Sequence, residues 1–72
     1  MNWKTTATDG APKPKTATSG NVTTRQSSDQ FLCFDGETVF EIYYAFDLES
    51  EELWFLKNVT KYIRISDIPK PI

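Results

Sequence analysis

The chain has 72 residues, with 8 Lys and Arg against 10 Asp and Glu and no histidine, for a net charge of −2. That length holds at most one compact unit. Without an imidazole, Ser-His-Asp and Cys-His catalysis is excluded, and a single cysteine (Cys33) leaves no internal disulfide and no set of zinc ligands. No cofactor is expected.

The N-terminal segment, residues 1–29, reads as a flexible arm. Its apolar side chains are few, Ser and Thr dominate, and Gly10, Pro12, Pro14 and Gly20 interrupt it. Such a stretch buries too little surface to offset its ordering entropy. Lys4, Lys13, Lys15 and Arg25 outweigh Asp9, so the arm is basic. Ala11-Pro12-Lys13-Pro14-Lys15 favours an extended, polyproline-like path. Asn21-Val22-Thr23 and Asn58-Val59-Thr60 match the N-glycosylation pattern, but the first residues lack the apolar stretch of a secretory signal. No run is long and apolar enough to span a membrane. The expected location is the cytoplasm of the producing or host cell.

Residues 30–72 form the expected domain, which carries nine of the ten aromatic residues and a net acidic charge. Phe31-Leu32-Cys33-Phe34, Asp35-Gly36 and Glu37-Thr38-Val39-Phe40 spell a hairpin, because Asp-Gly suits a two-residue turn with positive φ. A long second strand runs to Asp47, rich in β-branched and aromatic residues. After a polar corner at 48–51, Leu53-Trp54-Phe55-Leu56 reads as a third strand. Lys57-Asn58 turns the chain, and 59–65 is a fourth strand ended near Pro69. The expected fold is mainly β, a small antiparallel four-stranded meander, either an open sheet or a small SH3-like barrel. The alternative is an α+β fold with a helix at about 49–63: Ser50 would cap it, Glu51 and Glu52 suit a first turn, and Leu56, Val59 and Ile63 recur at helical spacing.

A two-residue Asp35-Gly36 loop sets Cys33 opposite Thr38 and Phe31 opposite Phe40. A four-residue loop at 48–51 sets Tyr44 opposite Phe55. One face then gathers Phe31, Cys33, Phe40, Ile42, Tyr44, Phe46, Leu53 and Phe55, with Ile63 and Ile65, and forms the core. The other face gathers Leu32, Phe34, Tyr43, Trp54, Leu56, Tyr62 and Arg64, too apolar for a solvated face. These seven residues are the candidate partner-binding surface, since Trp, Tyr and Arg dominate interface hot spots. A register wrong by one position is the bland alternative.

The function expected is a non-catalytic protein-protein interaction module, a small regulator or inhibitor that binds another protein or a second copy of itself as a homodimer. A domain this small without disulfide or metal gains from self-association. The competing class is a single-stranded nucleic-acid binder, with Tyr43, Trp54 and Tyr62 stacking bases and Lys57, Lys61 and Arg64 on the phosphates. The acidic body opposes it. A nucleic-acid mimic is a third, limited by the modest charge. Cys33 reads as a small core residue rather than a nucleophile, and Glu49, Glu51 and Glu52 as a solvated turn.

Overall fold

The computed structural model describes residues 2–71. The fold is mainly β. A four-stranded antiparallel sheet is built from β1 (Lys4–Thr5), β4 (Ser28–Phe34), β5 (Val39–Ala45) and β6 (Lys61–Arg64), in the order β1-β6-β4-β5. A separate two-stranded hairpin pairs β2 (Thr16–Ser19) with β3 (Val22–Arg25). One four-residue helical turn, α1 (Thr6–Asp9), follows β1, and one true helix, α2 (Glu49–Asn58), links β5 to β6. The sheet is open, with β1 and β5 as its edges, so the barrel does not form.

The β4–β5 hairpin carries the expected faces through a different loop. Phe34 pairs with Val39, Cys33 with Phe40 and Phe31 with Ile42, a shift of two residues from the expected register. Asp35 supplies the reason: its Oδ1 accepts from the backbone N–H of Glu37 (2.8 Å) and Thr38 (2.7 Å), closing a four-residue loop with Gly36 at φ 101°. An even shift keeps every side chain on its face. Phe31, Cys33 and Tyr44 therefore remain in the core, with Phe40, Ile42 and Phe46 packed against it.

Residues 49–58 are helical, which corrects the third strand and the meander. Glu49, Glu51 and Glu52 in the first turn and Lys57 in the last complement the helix dipole. The Leu48 carbonyl accepts from Glu51 and Glu52, and Asn58 Nδ2 donates to the Trp54 carbonyl at the far end. Ser50 is not the cap; Leu48 is, without a side-chain bond. The helix stops at Asn58 rather than continuing to 63, where the β-branched and aromatic run takes over as β6. It lies over the sheet's inner face through Phe55, whose ring meets Tyr44 at 5.2 Å, Tyr62 at 5.1 Å and Phe31 at 6.5 Å, all edge-to-face. Phe31, Cys33, Tyr44, Phe55, Val59 and Tyr62 are the buried cluster.

Replacing a strand by a helix reverses the faces expected for β6. Tyr62 pairs with Cys33 and Arg64 with Phe31, both on the inner face, while Ile63 pairs with Leu32 on the other. The arm contributes structure as well. β1 adds an edge to β6, with Lys4 opposite Tyr62, and Thr6 Oγ1 donates to the Val59 carbonyl at 2.7 Å. Pro12 is buried, and the boundary expected at residue 29 falls inside β4.

Candidate functional site

The seven candidate residues occupy three different surfaces. Leu32, Phe34 and Tyr43 lie on the sheet face turned away from α2, the first two half-buried and Tyr43 exposed. Trp54 and Leu56 stand on α2 and are exposed at 45% and 42%. Tyr62 and Arg64 are enclosed on the inner face. Tyr43 and Trp54, expected as neighbours, flank opposite sides of the sheet, because Trp54 stands on a helix laid over the inner face rather than on a third strand of the sheet.

Tyr62 is 3% exposed and its hydroxyl donates to the Gly10 carbonyl at 3.0 Å. Burial, then the charge of Asp9, raises its pKa above the ordinary tyrosine value. It offers no stacking surface. Arg64 is committed to the fold. Its Nη1 donates to Gln26 Oε1 (2.7 Å) and Asp29 Oδ2, its Nη2 donates to the Lys13 carbonyl (2.6 Å), and its guanidinium lies 5.0 Å from the Phe31 ring centre. Burial alone would raise the pKa of Asp29. Hydrogen bonds from Gln30 N–H, Gln26 and Arg64 outweigh it and hold the carboxyl below its usual range. Cys33 is fully buried, and desolvation pushes its thiol up to about 12.

The seam between the arm and β6 leaves an open cleft of about 680 Å³ that Lys4, Lys13 and Lys15 share with Asp9 and Asp67. Lys15 already pairs with Asp67 at 3.4 Å. On the sheet's outer face, Trp3 from the arm joins Phe34, Val39 and Lys61 around a shallow hollow of about 250 Å³. The arm thus reaches part of the face that was expected to need a partner.

The helix is where the surface is least like that of a lone domain. A helix packed on a core through one face should be polar on the other. Phe55 is the buried residue of α2, yet Leu53, roughly 200° round the axis at about 100° per residue, is exposed at 61%. Trp54 and Leu56 flank it, and Leu48 at the cap is exposed as well. The periodicity that could have revealed Leu53 was present in the sequence, but the strand reading sent it inward with Phe55. Glu49, Glu51 and Glu52 make the first turn of the same helix acidic, and among the described residues none of the three makes an ion pair.

No family model matches the chain, and no curated protein or solved structure is significantly similar to it. Among the described residues no helix is long and apolar enough to cross a membrane.

Proposed function

We propose that the chain is a non-catalytic protein-protein interaction module, of the kind a small regulator or inhibitor uses, which docks through the outer side of α2. The observation that carries this reading is the apolar set Leu53, Trp54 and Leu56 on the helix side opposite Phe55. A helix presenting such a set suits an apolar groove, with Trp54 as the anchor. Glu49, Glu51 and Glu52 select a groove whose rim is basic. The partner is another protein with that chemistry.

The test compares proteins captured by the immobilised intact chain with those captured by Trp54→Ser and Leu53→Ser. Both variants should keep the circular dichroism of the parent and lose a partner that the parent retains. Equal capture by all three would reject the helix surface. A labelled single-stranded oligonucleotide at low salt should show no binding. Tight, salt-sensitive binding would support the nucleic-acid reading instead.

A further inference from the structure

The two edges of the main sheet differ. β1 is two residues long and begins with Lys4, both of which blunt an edge. β5 runs for seven residues without proline, lysine or a bulge, and its ladder with β4 is unbroken from Val39 to Ala45. The phase of that ladder is fixed at both ends. Asp35 N–H donates to the Thr38 carbonyl, and Phe46 N–H donates to the Ser27 carbonyl. Even-numbered residues of β5 therefore turn their backbone groups toward β4, and Val39, Glu41, Tyr43 and Ala45 turn theirs to the open side. Val39 and Tyr43 are 54% and 65% exposed.

We infer that this edge pairs with β5 of a second copy, antiparallel about a two-fold axis at Ile42, to give one continuous eight-stranded sheet. The sequence of the strand selects this occupant and register. Centring on Ile42 sets Val39 opposite Ala45 and Glu41 opposite Tyr43 of the other copy, so each outward backbone group meets its counterpart along the whole strand. A dyad at Glu41 would put the two carboxylates face to face, which is unfavourable. On the inner face the same register sets Ile42 against its copy and Phe40 against Tyr44. Phe40 and Ile42 are only partly buried, so pairing extends each core into the other. A two-fold contact of this kind is self-complementary and closes at the dimer. This extends the interaction-module reading to a second surface and uses none of the α2 residues.

The test is the solution mass of the intact chain by light scattering over a concentration series, with Tyr43→Pro and Tyr43→Lys. Proline at 43 removes an N–H that β4 does not use. The parent should rise toward twice its monomer mass, and Tyr43→Pro should raise the dissociation constant at least tenfold while keeping the parent's circular dichroism. Tyr43→Lys blunts the edge by charge without touching the backbone; if proline unfolds the strand, the lysine variant alone decides, by the same criterion. Trp54→Ser should dimerise like the parent. A parent that stays monomeric at its solubility limit, or a dimer that the Tyr43 variants leave intact, overturns the inference. A dimer lost in Trp54→Ser but kept in both Tyr43 variants moves self-association to α2. Monomeric behaviour with Trp54-dependent capture leaves the helix reading standing.

Discussion

Arg64 and Asp29 form an ion pair on the inner face of the sheet, with their side chains 10% and 20% exposed, while Arg25–Asp47 and Lys15–Asp67 lie open to solvent. Arg64 sits opposite Phe31 in the β4–β6 ladder, and Asp29 is two residues along β4 on the same face. Removing the guanidinium strands an enclosed carboxylate and strips a plane from Phe31. Arg64→Ala should cost about 3 kcal/mol in a denaturant titration. Arg64→Lys should recover little of it, because an ammonium cannot serve Asp29, Gln26 and the Lys13 carbonyl from one flat fork. Full stability in the lysine variant would show that charge alone matters.

The same pair sets the acid limit of the fold. The Asp29 pKa is lower folded than unfolded, so its contribution is complete above the unfolded carboxylate value of about 3.9 and disappears as pH falls through the folded value. Asp35, held down by the Thr38 and Glu37 N–H groups, acts in the same direction. Stability should be level near neutrality and fall below about pH 4. In Asp29→Asn the acid slope should be shallower, as read from melts across that range.

Phe55 and Trp54 are adjacent in sequence and opposite in energetics. Phe55→Ala empties the centre of the aromatic cluster and should cost about 3–5 kcal/mol. Trp54→Ser should stay within about 1 kcal/mol of the parent. Thermal or urea unfolding of the two variants checks that burial contrast, and the helical signal in the parent's circular dichroism checks α2, since the strand reading buries Phe55 as well.

Cys33 is enclosed by the core and its thiol is pushed up to about 12, so almost no thiolate exists at pH 8. A thiol-reactive dye should label the native chain at a rate set by unfolding, rising in step with denaturant. Rapid labelling of the native chain would mean that the cluster around Phe31 opens on its own.

Deleting residues 1–14 removes β1, the Gly10 carbonyl that accepts from Tyr62 and the Lys13 carbonyl that accepts from Arg64. Each lost hydrogen bond costs about 0.5–1.5 kcal/mol, and the strand pairing of β1 with β6 goes with them. The shortened chain should therefore melt well below the full one. Equal melting would restore the arm to the loose appendage its composition suggests.

What the sequence shows of this fold follows the range of each signal. Period-two alternation from Phe31 to Phe46 identifies β4, β5 and their core face, and that survives a wrong loop because the register moved by two. Leu53 to Ile65 is ambiguous locally: acidic residues before an apolar run favour a helix, and β-branched residues after it favour a strand. The chain takes each in turn. Assigning the whole stretch to strands inverted Tyr62, Arg64 and Ile63 and set Trp54 beside Tyr43. The recruitment of β1 by β6 leaves no trace in a Thr-rich segment, since it depends on pairing with residues at the other end of the chain. Trp54 and Leu56 stay exposed as expected, and Leu53 joins them for a reason only a helix supplies.

β6 lies between β1 and β4, so the last strand along the chain occupies an interior place in the sheet, and the first strand can dock only beside it. On a ribosome β1 therefore emerges before the other strands of its sheet yet can be seated only after β6. β4 and β5 can close their hairpin early, but β1 has no seat until Lys61–Arg64 has emerged. A leading segment rich in Ser, Thr and Lys is well suited to that wait, because it stays soluble while unpaired. The composition that makes the arm look dispensable is what lets the earliest-made strand be the latest to fold.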